Sequence, residues 1–347
     1  MKDSAFDHLR RATDSYQESS VLTAAAELDL FTEILKQDNR GLVSRLSDSL
    51  DADFRALTAL LDVLAAIGYL SKTNEAGDAV YSVEDRFREF LDSRMPQTFI
   101  PMLRHIAAVH RVWTQIAHTV KSGRPPVPQG SFLGAEQEDV AFIWAMNSVA
   151  RTLAGPTIES LRSAGVLSFE KEEVRFLDVG GASGTYTQAI LEAMPKWKGA
   201  IFDRPVGIDA ARKRFQKSGE GAFYQGRVEF FEGDFYKDEL PAGYDFVWIS
   251  AIIHQHGLKE SAELFAKAFR ATNSSGKIAV RDFMMNSNRT APADGAFFGI
   301  NMLVETETGM VYTFEEVRDL LLKAGFVDVQ LAVPMETMSA VVVARKP

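Results

Sequence analysis

Apolar and polar positions divide the chain into a helical first part and a second part in which strands alternate with helices. In "SSVLTAAAELDLFTEIL" apolar residues recur at near-helical spacing, which predicts a helix with one buried face. From Val174 onward, apolar runs such as "VRFLDV", "WKGAIFD" and "DFVWISA" alternate with amphipathic stretches. This alternation predicts a doubly wound α/β sheet. Only the short link "PMETM" joins "DVQLAV" to "SAVVVARK", so we expect the final strand pair to be antiparallel.

The N-terminal part has the element order of a winged helix. A short helix, a turn, a strong helix from about Asp53 to Ile67 ended by Gly68, and two short strands around "NEAGD" follow one another. The helix that would enter a DNA groove carries a single cation, Arg55, and is apolar nearly all round, which disfavours DNA binding. Such a helix favours burial on more than one side. We therefore expect a homodimer formed through this domain and no nucleic-acid partner.

Composition narrows the class of protein. A chain of 347 residues favours two domains, which we predict at 1–105 and 106–347, the second with leading helices to about 165. The chain has no cysteine, which excludes disulfides and thiolate metal sites, and its net charge of −9 disfavours nucleic acid and anionic membranes. The N-terminus lacks the apolar core of a signal peptide, and nowhere do 18 apolar residues run together. We expect a cytoplasmic protein that binds no membrane.

The stretch "VRFLDVGGASGTY" places a glycine turn directly after a strand. The strand ends at Val179, a helix begins near Thr185, and the turn between them contains Gly180, Gly181 and Gly184. Backbone N–H groups of such a turn face a ligand above the sheet. The spacing differs from the dinucleotide pattern G-x-G-x-x-G, because alanine occupies the second glycine position. By itself the loop is equally compatible with a plain tight turn.

Three acids at successive strand ends favour a nucleoside ligand. Asp178 precedes the glycines, Asp203 ends the second strand, and Asp234 with Phe235 ends the third. An acid at the position of Asp203 can accept both ribose hydroxyls, whereas Asp234 and Phe235 would meet the amino group and the face of an adenine. Three acids would repel the pyrophosphate of NAD but suit the sulfonium and ammonium of S-adenosylmethionine. Each acid alone could instead be a helix cap or a solvated strand end.

At this point a family resemblance can be stated. The chain resembles class I S-adenosylmethionine-dependent methyltransferases of the two-domain O-methyltransferase family, which includes plant caffeate and bacterial hydroxyneurosporene and acetylserotonin-type enzymes. The matching stretches are "AAAELDLF", "LLDVLAAIGYL", "LDVGGASG", "IFDRP", "EGDFY", "ISAIIHQH", "VRDFMM" and "INMLVETETGMVYTFEEVRDLLLKAGF". The resemblance implies a Rossmann-like seven-stranded sheet with an antiparallel last strand, an N-terminal winged-helix dimerisation domain, and S-adenosylhomocysteine as the product of the cofactor. Ser250 is a further cofactor-binding candidate.

The resemblance also assigns a base. A histidine in a pattern like "LHDW" is the family's catalytic base, and His254 occupies that position, although glutamine and histidine follow it here. A neutral imidazole can accept the proton of an acceptor hydroxyl. Asp282 matches the first acid that orients the base. The second falls at Val311, which carries no carboxylate, so Glu305 and Glu307 remain alternatives.

Residues of two apolar stretches are candidates for acceptor binding: Phe142, Trp144 and Met146 in the first, and Phe297, Phe298, Asn301 and Met302 in the second. Such side chains at helical spacing more often belong to a core, but as a group they favour a flat apolar acceptor. No clustered Asp, Asn and His surround the acceptor, so we expect no metal. The sequence predicts methyl transfer to a hydroxyl of a small aromatic or polyketide-like molecule. A C- or N-methyltransferase and a non-catalytic cofactor-binding regulator remain alternatives.

Overall fold

The computed structural model describes residues 4–75, 77–127, 135–217, 224–334 and 340–347, except the side chains of 135–139 and 217. The chain divides into two compact units, Met1–Arg111 with Gln129–Ser148 and Val112–Pro128 with Val149–Pro347. The boundary predicted between residues 105 and 106 falls inside a helix, Ile100–Trp113. No helix in the described ranges is both long and apolar enough to cross a membrane.

The first part of the chain contains mostly helices and one small sheet. Its elements are α1 (Ala5–Asp14), α2 (Tyr16–Glu27), α3 (Leu30–Lys36), β1 (Gly41–Leu42), α4 (Val43–Leu50), α5 (Phe54–Ala66), β2 (Leu70–Glu75), β3 (Asp78–Val83), α6 (Arg88–Leu91), α7 (Ile100–Trp113), α8 (Ile116–Ser122) and α9 (Ala135–Ser163). The small sheet has the order β1-β3-β2. The succession of α4, α5 and the β2–β3 hairpin is the predicted winged-helix order.

The prediction of one helix over the first apolar stripe is wrong, because the structure has two helices there, α2 and α3. The apolar stripe continues across two helices, because the chain turns at Asp29, whose φ of 54° is left-handed. Aspartate tolerates this conformation better than most residues. Its carboxyl group accepts a hydrogen bond from Thr32 Oγ1 at 2.9 Å and lies 3.4 Å from an Arg104 nitrogen. The break preserves the buried face, since Ala25 and Phe31 are both fully buried.

The helix α5 begins and ends where the sequence predicts. Asp53 caps it by accepting the Ala56 N–H at 2.8 Å, and Gly68 follows its end with a φ of +83°. One face is buried in the core of its unit. Phe54 and Ile67 remain 56% and 39% exposed, so apolar surface of this helix is left uncovered in the single chain.

The second part of the chain forms the large sheet. Its elements are β4 (Arg175–Val179), α10 (Thr185–Ala193), β5 (Lys198–Asp203), α11 (Pro205–Lys217), β6 (Val228–Glu232), β7 (Tyr244–Ser250), α12 (Leu258–Ala271), β8 (Thr272–Asp282), β9 (Met284–Met285), α13 (Ala293–Glu305), β10 (Tyr312–Thr313), α14 (Phe314–Ala324), β11 (Val327–Val333) and β12 (Ala340–Arg345). Among the described residues the sheet has seven strands in the order β11-β12-β8-β7-β4-β5-β6.

Sheet direction confirms the predicted fold. Strands β6, β5, β4, β7 and β8 are parallel, whereas β12 is antiparallel to both of its neighbours. Residues 335–339, which contain most of the "PMETM" link, lie outside the described residues. Apolar clusters cover both faces of the sheet, with α12 and α14 on one face and α10, α11 and the end of α9 on the other.

The sheet also determines where a ligand can bind. The chain runs from β4 to β5 on one side and later returns to β7 on the other side of β4. This reversal opens a crevice at the carboxyl end of β4, which is the usual ligand position in such sheets.

Candidate active site

The glycine loop lies at the carboxyl end of β4 and leads into α10. Gly180 has a φ of +69°, and a Cβ there would lie 2.4 Å from Ile252 Cδ1. A Cβ at Gly181 would lie 2.8 Å from the carboxyl group of Asp178. These two positions therefore require glycine, and the loop carries no side chain at either of them.

Two buried carboxyl groups hold this loop. Asp178 is 2% exposed, accepts the Thr187 hydroxyl at 2.6 Å, and has its pKa raised by burial to about 7. Asp203 accepts the N–H of Ala182 and the N–H of Arg204, each at 2.7 Å, one on each carboxyl oxygen. Burial raises its pKa as well. Because each oxygen of Asp203 has a second lone pair, the group can still accept hydroxyl donors.

The end of β6 brings an aromatic ring to the same loop. Phe235 lies 3.8 Å from the position that a Cβ of Gly180 would take, and its ring stacks on Tyr236 with centroids 5.1 Å apart. Burial acts to raise the pKa of Asp234, but the Tyr236 N–H and the Lys237 ammonium outweigh it, so this pKa lies below its usual range. Asp234 also has the hydrogen bond of a turn residue, since it accepts the Tyr236 N–H at 2.9 Å.

His254 and Asp282 form a buried pair beyond the ends of β7 and β8. The Nδ1 atom of His254 lies 2.7 Å from Asp282 Oδ1, and the His254 N–H donates to Asp282 Oδ2 at 3.4 Å. Asp282 is 1% exposed and also accepts the Phe283 N–H at 2.8 Å. The Nε2 atom of His254 makes no hydrogen bond with any residue that the structure describes. Asp282 therefore fixes the imidazole ring of His254 and leaves its Nε2 atom free.

Aromatic rings lie beside this pair. The ring of Phe298 meets the His254 imidazole edge to face with centroids 4.8 Å apart and stacks on Phe283 at 4.0 Å. Met302 is only 4% exposed and belongs to the core. Phe142 and Met146 lie on α9 in the first unit, where Phe142 packs against the His105 ring at 5.3 Å. Acceptor contacts of all these side chains stay predictions.

A polar chain of three residues extends from α13. Asn301 Oδ1 accepts the Trp113 indole N–H at 2.8 Å, and Asn301 Nδ2 donates to Glu305 Oε2 at 2.9 Å. Surrounding protein raises the pKa of Glu305 to about 7, while the charge of His254 acts to lower it. The Glu305 side chain is nevertheless exposed to solvent. Val311, at the position of the family's second acid, is 4% exposed.

His256, for which the sequence predicts a surface or pocket-wall position, is buried. It is 2% exposed, and its Nδ1 atom lies 2.6 Å from the Tyr236 hydroxyl. Burial lowers its pKa to about 4. His256 therefore belongs to the packing behind Phe235, whose ring it meets edge to face at 5.7 Å.

Sequence reasoning missed a second polar group on the opposite face of β8. The Arg281 side chain is 3% exposed, and its Nη1 atom donates to Ser250 Oγ at 3.2 Å. The available signal was a cation inside the apolar strand "KIAVRDFMM", directly before Asp282. The contact of Trp113 with Asn301 gave no such signal, because these two residues are far apart in the sequence.

Two models of known protein families match the chain. A model described as an O-methyltransferase domain matches residues 133–327, and one described as an O-methyltransferase dimerisation domain matches 11–93. The chain belongs to the O-methyltransferase family. Among curated members of this family, acetylserotonin O-methyltransferase of Bos taurus is 28% identical over 97% of both chains. The tetracenomycin polyketide synthesis 8-O-methyl transferase TcmO of Streptomyces glaucescens is 28% identical over 96% of this chain and 95% of its own.

Solved structures of O-methyltransferases share the fold. Human N-acetylserotonin methyltransferase, in a crystal structure with SAM, superposes with a TM-score of 0.79 at 24% identity and covers 99% of this chain and 98% of its own. This likeness confirms the predicted fold class, and the domain model confirms the predicted family. The expected cofactor agrees with the ligand of that human enzyme. The roles predicted for individual site residues remain predictions.

Proposed function

We propose that this chain is an S-adenosylmethionine-dependent O-methyltransferase acting on a hydroxyl of a small aromatic or polyketide-like molecule, with His254 as general base. The observation that carries the proposal is the pairing of His254 Nδ1 with Asp282 Oδ1 at 2.7 Å. A carboxylate on Nδ1 favours the tautomer in which Nε2 is unprotonated and can accept a proton.

The residues at the glycine loop fit S-adenosylmethionine. Gly180 and Gly181 let the loop pass close to Ile252 and Asp178, and the carboxyl oxygens of Asp203 retain lone pairs for the ribose hydroxyls. Phe235 would pack on the adenine face, and Asp234 would accept from its amino group. Acidic surroundings suit a ligand that carries two cationic groups and oppose the pyrophosphate of NAD. When bound, S-adenosylmethionine supplies an electrophilic methyl group on a sulfonium.

The protein's part in the reaction is to take up one proton. A phenol with a pKa of about 10 is mostly protonated at neutral pH, and Nε2 of His254 accepts its proton as the hydroxyl oxygen becomes the nucleophile. Asp282 is a positioning residue, since it fixes the ring and stabilises the imidazolium that forms. Glu305, whose carboxyl group accepts the Asn301 amide at 2.9 Å, would supply a second carboxylate in place of the acid absent at Val311.

Two further features support the acceptor class and the assembly. The stacked rings of Phe298 and Phe283 form a flat apolar wall beside His254. The similar proteins act on acetylserotonin and on a tetracenomycin polyketide. The dimerisation domain and the apolar surface left uncovered on α5 support a homodimer.

The test is a methyl-transfer assay with labelled S-adenosylmethionine and a panel of phenols, naphthols and aromatic polyketides. We expect an O-methyl ether, identified by mass spectrometry and NMR, and loss of its formation in His254→Ala. A product methylated on carbon or nitrogen would contradict the O-methyl assignment. Full activity of His254→Ala would contradict the assignment of the base.

A further inference from the structure

The strand β8 ends in two consecutive charged residues that face opposite sides of the sheet. Asp282 lies on the side of Ile278 and Val280, whereas Arg281 lies on the side of Ala279. Asp282 is fully engaged by His254 and the backbone. Arg281 is 3% exposed, but its Nε and Nη2 atoms have no hydrogen-bond partner, and within the described ranges no carboxylate pairs with it. Arginine is always charged, so this is a buried cation without an anion.

A tyrosine on the same face lies over Arg281, and a tryptophan lies beside that tyrosine. The Trp248 Nε1 atom is without a hydrogen bond. The Tyr186 hydroxyl has no hydrogen bond of regular geometry, although the hydroxyls of Thr157 and Ser250 are near enough to act on it. The Tyr186 ring centroid is 5.2 Å from the Arg281 guanidinium carbon and 5.2 Å from the Trp248 ring. Guanidinium and indole N–H groups can only donate, and the phenol can do so as well. What this cluster lacks is an acceptor, and the charge of Arg281 favours an anionic one.

The cluster adjoins the glycine loop. Arg281 is in register with Ser250 at the end of β7. Tyr186 lies in the first turn of α10, the helix that begins directly after Gly184. Ser250 is only half-buried, so the cluster is reached from the carboxyl end of the sheet. The positive end of α10 adds to the attraction for an anion.

We propose that Arg281, with the Tyr186 hydroxyl and the Trp248 indole N–H, binds the carboxylate of the cofactor's amino-acid end. This inference rests on the proposed cofactor, since that carboxylate is the one anionic group of S-adenosylmethionine. It assigns the amino-acid end to the side of Ser250 and leaves Asp203 for the ribose.

The test compares two ligands that differ only in the carboxylate: S-adenosylhomocysteine and its decarboxylated analogue. Calorimetric titration should show that the wild-type protein prefers S-adenosylhomocysteine by about 10- to 100-fold, the range of a hydrogen bond to a charged group. In Arg281→Met this preference should disappear, while affinity for the decarboxylated analogue stays within about twofold. Arg281→Lys, which keeps the charge but offers fewer directed donors, should retain part of the preference.

A matched control lies on the same strand. Lys277 is also partly buried, but its ammonium donates to the carbonyl oxygens of Val166 and Ser168, so Lys277→Met should leave the ligand preference unchanged. A preference that persists in Arg281→Met would overturn the inference. Ordered water would then be the acceptor for the donors of the cluster. Equal loss of affinity for both ligands would overturn it too, since it indicates a structural role. Failure of the wild-type protein to bind either ligand would instead overturn the proposed cofactor.

Discussion

The two faces of β8 show opposite ways of holding a buried charge. On one face Asp282 accepts hydrogen bonds from the Phe283 N–H and from His254, so the site is complete within the chain. On the other face Arg281, Tyr186 and Trp248 have donors without acceptors. Internal satisfaction is expected where a group must be preorganised before the acceptor arrives, whereas unmet donors are expected where a ligand supplies the acceptor. We propose that the proton step belongs to one face and cofactor anchoring to the other.

The largest effect is expected for His254 itself. His254→Ala should lower kcat by about 10²- to 10⁴-fold, the usual contribution of a general base, while the Kd for S-adenosylhomocysteine changes less than about twofold. Steady-state kinetics and calorimetry on the same preparation measure the two quantities. His118→Ala, at an exposed position of α8, serves as the control and should change neither. If His254→Ala lost as much cofactor affinity as rate, the two faces of β8 would not have separate roles.

A smaller effect is expected for the positioning residue. Asp282→Asn keeps the shape of the carboxyl group but removes the charge that stabilises the imidazolium, so kcat should fall by about 10- to 100-fold. The KM for the acceptor and the Kd for S-adenosylhomocysteine should stay within about twofold, because Asp282 acts through His254 and touches neither ligand. A merely structural role would raise both constants together with the loss of rate.

The free energy of unfolding should also respond differently to substitutions on the two faces of β8. Asp282→Ala leaves three buried donors without their acceptor, the Phe283 N–H and two groups of His254, and should lower the free energy of unfolding by about 2–3 kcal/mol. Arg281→Met removes a cation that has no anionic partner, so without cofactor its stability should equal or exceed that of the wild type. Urea denaturation of the ligand-free proteins checks both values. A large loss of stability in Arg281→Met would mean that its surroundings already satisfy the cation.

The smallest effect concerns pH. Asp178 and Glu305 have folded pKa values of about 7, above the usual range of carboxyl groups. Between their unfolded and folded pKa values the native state keeps protons that the unfolded chain has released. Stability from these groups is therefore present below the unfolded pKa and is lost as pH rises to about 7. Urea denaturation at pH 5 and pH 7 should show this slope, and Glu305→Gln should reduce it; an unchanged slope would contradict the raised pKa.

Pattern and motif were sufficient for most of the fold and for the proximity of His254 and Asp282. Alternating apolar runs predict the sheet, since each buried strand leaves its own signal in the sequence. His254 and Asp282 follow strands whose carboxyl ends meet, so their proximity could be expected. The break at Asp29 was missed because the apolar stripe continues across it. The cluster around Arg281 was missed because an unmet hydrogen bond becomes visible only once every neighbour of the side chain is known.

The measurement that tests the central claim most directly is calorimetric titration of the wild-type protein with S-adenosylhomocysteine, with NAD as the control ligand. It requires no knowledge of the acceptor. The account predicts micromolar binding of one S-adenosylhomocysteine per chain and no binding of NAD. Absence of binding in protein shown to be folded, or equal binding of NAD, would contradict it.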